Sequence, residues 1–75
     1  MTIVDLIAKI LKIPAASITD ETAMKNVPAW DSLKHMTLIL AIEQEFALEL
    51  TGDEIADMTS VKAIRDILGK RGLCS

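Results

Sequence analysis

The 75-residue sequence contains no tyrosine, one tryptophan, one phenylalanine, one cysteine and one histidine. A solitary Cys74 excludes an internal disulfide and a cysteine-based zinc site, and His35 alone cannot build a metal centre. Glycine is scarce, at three residues, in a chain that is 51% hydrophobic and mostly aliphatic. That balance points to a helical bundle. An excess of positive charge is also missing: eight Lys and Arg face eleven Asp and Glu, for a net charge of −3. Non-specific nucleic-acid binding needs a basic surface to displace phosphate counterions, so that class is excluded. An acidic chain suits instead a partner with a basic patch. No apolar run approaches the ~20 residues that span a bilayer, so no membrane span is expected. Met1-Thr2 leads into alternating apolar and charged residues without the apolar core of a signal peptide. The expected location is cytoplasmic.

What is present fits one domain over residues 1–75, expected to be monomeric. A chain this short buries only roughly 60% of the surface it exposes on unfolding, which makes a large catalytic cleft hard to build. A binding or carrier module is the natural expectation.

Thr2 and Asp5 have capping-box-like spacing, and Ile3, Leu6, Ile7, Ile10 and Leu11 recur at helical period, predicting a first helix over about 2–11. Pro14 ends it. A long connection runs on to Asp31, with two prolines and the polar cluster from Ser17 to Thr22. Connections beyond ~12–15 residues are uncommon and tend to be functional. Ile13, Ile18, Met24 and Val27 are placed to pin this one to a core. A second helix is predicted from Ser32 to about Phe46. Thr51 caps a short third helix, with Glu54 completing a capping box and Ile55 and Met58 inward. Thr59 or Ser60 caps a fourth, carrying the stripe Val61, Ile64, Ile67 and Leu68. Gly69, Lys70 and Arg71 make its exit, and Lys62, Arg65 and Asp66 its solvated face. The fold class is all-α, with three main helices, one short helix and a long first loop.

The second helix has two apolar faces. At about 100° per residue, Leu38, Ile39, Ile42 and Phe46 share one side, while Leu33, Met36 and Leu40 share another. One stripe suffices to join a small bundle. The second calls for either a wider core contact or a docking surface. At the head of this helix stands Trp30-Asp31-Ser32-Leu33. Asp and Ser are ordinary capping residues, so the tripeptide alone says little. Its setting says more: a serine after a long loop, at the start of a central helix, in a short acidic chain. A phosphodiester on that hydroxyl would lie beside unpaired backbone N–H groups and the positive end of the helix dipole.

The stretch Asp31-Ser32-Leu33 through Glu43-Gln44-Glu45-Phe46 to Leu50, continuing by Asp53-Glu54-Ile55 to Thr59-Ser60-Val61, resembles the acyl carrier protein family. The resemblance covers nearly the whole chain. It implies a four-helix bundle with a long first loop and a short third helix. It also implies a 4′-phosphopantetheine arm from coenzyme A, attached to Ser32 by a phosphopantetheinyl transferase using Mg²⁺. Asp31 is then implied to position the metal or the transferase. Leu33, Met36, Leu40 and Glu43 are implied to meet partners, which are acyl- or aminoacyl-loading and acyl-processing enzymes. Glu45 continues the acidic side.

One departure matters. Fatty-acid carriers of bacterial type usually have acidic residues just after the serine, where this sequence has Lys34, His35 and Thr37. Partners relying on a basic patch there should bind less well. The resemblance therefore implies a specialised carrier rather than a general one. Two other readings compete. One is a helical protein-interaction module with no prosthetic group. The other is a Ser32–His35 hydrolase, which lacks an identifiable residue to orient the imidazole and an oxyanion hole. His35 is expected to be structural and partly buried. Trp30 either seals the loop against the bundle or lies beside the arm, and Cys74 is an incidental thiol.

Overall fold

A computed structural model describes residues 2–72. Helix α1 (Ile3–Leu11) starts because Thr2 is extended and its Oγ1 accepts the Asp5 N–H at 3.1 Å, satisfying one of the unpaired donors of the first turn. It stops at Lys12, whose φ of 58° turns the chain into the left-handed region, and Ile13 N–H returns to the Ala8 carbonyl at 3.2 Å. Helix α2 (Ser32–Phe46) ends the same way at Ala47, with φ 53° and Leu48 N–H on the Glu43 carbonyl at 3.1 Å. Helix α3 (Gly52–Asp57) has the full capping box: Thr51 Oγ1 accepts from Glu54 N–H at 3.1 Å, and Glu54 Oε1 accepts from Thr51 N–H at 3.0 Å. Helix α4 (Val61–Lys70) is capped by Ser60, whose Oγ accepts from Ala63 N–H.

These helices match the predicted set, with one shift at the end. Gly69 lies inside α4, and the left-handed residue after the helix is Gly72, at φ 79°. The two added residues, Gly69 and Lys70, are held by Arg71, whose backbone N–H bonds the Ile67 and Leu68 carbonyls and whose side chain pairs with Glu54 of α3. Cys74 lies outside the described residues.

One core joins the elements. α1 contributes Ile3, Leu6, Ile7 and Leu11; α2 contributes Leu38, Ile39 and Ile42; α4 contributes Val61, Ile64 and Leu68. Met58, just after α3, is fully buried, and Ile55 is half-buried. No helix among the described residues is long and apolar enough to cross a membrane.

The long first connection is ordered by two 3₁₀ turns, Ala15–Ser17 and Met24–Asn26, and by bonds to the far side of the bundle. Ile18 is buried in the core, with Ile13, Met24 and Val27 packed against it. Met24 N–H donates to the Thr59 carbonyl at 2.9 Å, and the Thr22 and Asp20 carbonyls accept from Val61 and Lys62 N–H. Asp20 also pairs with Arg65 at 2.9 Å. Asn26 closes the segment on itself, Oδ1 accepting from Ala23 N–H and Nδ2 donating to the Glu21 carbonyl. The loop thus delivers residues 30–32 to a fixed place at the head of α2.

Candidate functional site

Asp31 is the residue that starts α2. Its backbone is extended, its Oδ1 accepts the Lys34 N–H at 2.8 Å, and its carbonyl accepts the His35 N–H at 2.8 Å. Ser32 is therefore the first helical residue, and its side chain is exposed. The N–H groups of Ser32 and Leu33 have no carbonyl one turn back to bond. At the head of α4 the corresponding donors are used: Val61 and Lys62 bond loop carbonyls and Ala63 bonds Ser60. The start of α2 thus presents a hydroxyl and two backbone donors together, at the positive end of the helix dipole.

Behind this surface lies a buried polar link. Trp30 is 2% exposed and donates its indole N–H to His35 Nδ1 at 3.1 Å. The rings lie 6.1 Å apart and are tilted by 35°. An indole nitrogen only donates, so Nδ1 must accept, which leaves the imidazole proton on Nε2. That nitrogen lies 2.9 Å from the Ile55 carbonyl of α3 and donates to it. The imidazole, itself buried, joins the loop, α2 and α3 with both ring nitrogens engaged. It is unavailable as a base for Ser32, which removes the basis for the Ser–His reading. Trp30 seals the loop, as one of its two readings had it, and His35 is structural. Sequence pattern reached both roles separately but missed their bond. The Ile55 carbonyl, twenty residues on, leaves no trace in side-chain spacing.

The two faces of α2 separate cleanly. Leu38, Ile39 and Ile42 are buried and Phe46 partly so, whereas Leu33, Met36 and Leu40 are 75%, 47% and 55% exposed. The second stripe is a surface and not a wider core contact. Its first turn carries no acidic residue, and Lys34 lies there half-buried. Glu43 is also half-buried, and its Oε2 accepts from Leu50 N–H at 2.9 Å, so this carboxylate holds the connection to α3. An ion pair between α3 and the end of α4 lies elsewhere. The Arg71 guanidinium bonds both oxygens of Glu54 and, with the Thr51 N–H, pulls that carboxyl from its ordinary 4.5 down to about 2.

Residues 2–68 match the family described as "Phosphopantetheine attachment site". The chain is 38% identical over 65 residues to the acyl carrier protein of Buchnera aphidicola subsp. Baizongia pistaciae (strain Bp), covering 87% of this chain and 83% of that protein. It is 34% identical over 68 residues to the acyl carrier protein of Syntrophobacter fumaroxidans (strain DSM 10017 / MPOB), covering 91% and 84%. Taken with the all-α fold, these likenesses define a carrier protein and not an enzyme. The chain belongs to the acyl carrier protein family, whose cofactor is a covalently attached 4′-phosphopantetheine. Membership implies interaction with a transferase and with acyl-processing enzymes.

Proposed function

We propose that Ser32 is the attachment point of the arm, and that this single domain delivers thioester-bound acyl or aminoacyl groups to partner enzymes in a specialised cytoplasmic pathway. The observation that carries the reading is the exposed Ser32 hydroxyl at the first position of α2, beside the open N–H groups of Ser32 and Leu33. The residues fit a phosphodiester: the hydroxyl oxygen supplies the ester link, and the two N–H groups and the helix dipole favour its negative charge. When bound, the arm supplies a terminal thiol that holds the cargo as an electrophilic thioester. Ser32 gives up its hydroxyl proton on modification, and the 4′-phosphopantetheinyl group of coenzyme A moves to its oxygen as the pyrophosphate bond breaks and adenosine 3′,5′-bisphosphate leaves. Asp31 caps the helix through Oδ1 and faces solvent, which suits a second role in positioning Mg²⁺ and the transferase.

Leu33, Met36 and Leu40 form the docking face in this reading, supported by their exposure on a helix whose other face is core. Glu43 borders it, although its bond to Leu50 makes it more a brace than a free charge. Lys34 supports a partner set distinct from that of carriers with an acidic first turn, because it opposes a basic patch at this point.

Intact mass after incubation with coenzyme A, Mg²⁺ and several transferases tests the reading. One phosphopantetheine should appear on the wild type and none on Ser32→Ala. Asp31→Asn keeps a good capping residue, so it should load slowly at an unchanged melting temperature. A wild type left unmodified by every transferase overturns the proposal and favours an interaction module built on the same exposed stripe.

A further inference from the structure

We propose that the Trp30–His35–Ile55 link closes the interior of the bundle to the cargo, so that the tethered acyl group stays outside in solvent. The protein is then a carrier of short or polar acyl groups, and Trp30 and His35 set that specificity. This inference rests on Ser32 as the attachment point and goes on to the class of group attached.

An alkyl chain tethered near an apolar core tends to enter it, because each methylene buried favours the inserted state by about fourfold. Entry needs a space that opens at low cost. At the Ser32 end of α2 the way between α2 and α3 is spanned by the His35 bond to the Ile55 carbonyl, and the space beside it is filled by Trp30. Trp30 is among the largest fully buried side chains of the core. Parting α2 from α3 here breaks the bond from His35 Nε2 to Ile55, and displacing Trp30 strands its indole N–H and His35 Nδ1. Buried groups left unpaired in this way resist the insertion, and an alkyl tail offers them no replacement partner. Every buried side-chain N or O atom among the described residues has a partner, so the closed arrangement carries no polar strain of its own.

Two surface grooves lie away from this point. One of about 380 Å³ lies between the loop and the α3–α4 junction, lined by Ala23, Met24, Lys25, Thr59 and Ser60. Another, of about 240 Å³, lies between α1 and α2 and is lined by residues that include Leu6, Ile10 and Ala41. Neither includes Ser32 or Leu33. With the way between α2 and α3 closed by the Trp30–His35–Ile55 link, a long alkyl group on the arm would remain in water, whereas a short, hydroxylated or aminoacyl group is at ease there.

The test loads the whole protein with acetyl, hexanoyl and dodecanoyl forms of the arm from the matching coenzyme A thioesters, each form verified by intact mass. Thioester lifetime against hydroxylamine and the melting temperature are then read for each form. The wild type should give lifetimes equal within about twofold across the series, with no rise in melting temperature, since no methylene is buried. Lifetimes climbing about tenfold or more from acetyl to dodecanoyl, with a parallel rise in melting temperature, show insertion and overturn the proposal. Trp30→Ala vacates the stopper and should lengthen the dodecanoyl lifetime about threefold or more over acetyl; equal lifetimes in that variant, if folded by circular dichroism, overturn the role given to Trp30. Where it does not fold, the wild-type series decides. Failure of the underlying carrier reading has a separate signature, the absence of any mass gain on Ser32.

Discussion

Trp30 donates its indole N–H to Nδ1 of His35 at 3.1 Å, inside a core that is otherwise aliphatic. The bond fixes the imidazole tautomer, and the tautomer aims the Nε2 proton at the Ile55 carbonyl. One buried side chain thus ties three segments together at the end of the bundle where Ser32 lies.

Trp30→Phe tests the value of this link. Phenylalanine keeps much of the apolar volume but strands Nδ1 without a donor, and a buried acceptor left unpaired costs about 1–3 kcal/mol. Urea unfolding followed by far-ultraviolet circular dichroism should show a lower midpoint with an unchanged slope. An unshifted midpoint means the indole N–H contributes nothing that water does not replace.

The two faces of α2 predict opposite results for two residues two positions apart. Leu38 is fully buried, so Leu38→Ala should cost about 2–5 kcal/mol through lost burial and the cavity left behind. Met36 is nearly half exposed, so Met36→Glu should stay within about 0.5 kcal/mol of wild type. The same Met36→Glu should slow acyl transfer with a partner enzyme by about tenfold, as loss of an apolar anchor does at an interface. A large loss of stability for Met36→Glu would place it in the core and undo the docking assignment.

Most of the helical frame was legible because its signals are local. Thr2, Asp31, Thr51 and the pair Thr59–Ser60 announce the helix starts, with Ser60 the residue that caps α4, and Leu38, Ile39 and Ile42 announce the inward face of α2. The paired capping box of Thr51 and Glu54 is encoded by spacing alone. Helix ends were harder. Two of them use Lys12 and Ala47 in the left-handed region, where glycine is the usual signal, and Gly69 is not an end at all. Glu43 illustrates another limit: the sequence marks it as an acidic surface residue, but only the folded path of Leu50 shows what its carboxylate bonds. Non-local bonds from loop backbone to α4, such as Thr22 to Val61, were equally invisible, since a carbonyl has no residue type.

Ala47 gives a stability prediction with the opposite sign. At φ 53° its Cβ crowds the neighbouring carbonyl, a penalty glycine does not bear. Ala47→Gly should therefore stabilise the fold by about 0.5–1 kcal/mol after the greater freedom of glycine in the unfolded chain is counted. A thermal melt should move upward by roughly 2–8 °C for a domain of this size. A downward shift would show that the methyl group packs usefully in spite of the backbone.

Glu54 predicts how stability depends on pH. Its carboxyl lies near 2 in the fold against an ordinary 4.5, chiefly through the Arg71 side chain and then the Thr51 N–H. A folded-state value below the unfolded one means that the folded state prefers the charged carboxylate. The resulting stability is fully present above about pH 4.5 and is lost as pH falls towards 2. Glu54→Gln keeps a side chain able to complete the capping box while abolishing the ionic pair. Its melting temperature should therefore fall less steeply than that of wild type between these limits, although both proteins lose stability from their other carboxylates. The pair lies at the surface, so 1 M salt, with a Debye length of about 3 Å, should shrink the difference. Parallel melting curves for the two proteins across this range would show that the Glu54–Arg71 pair contributes nothing to the acid response.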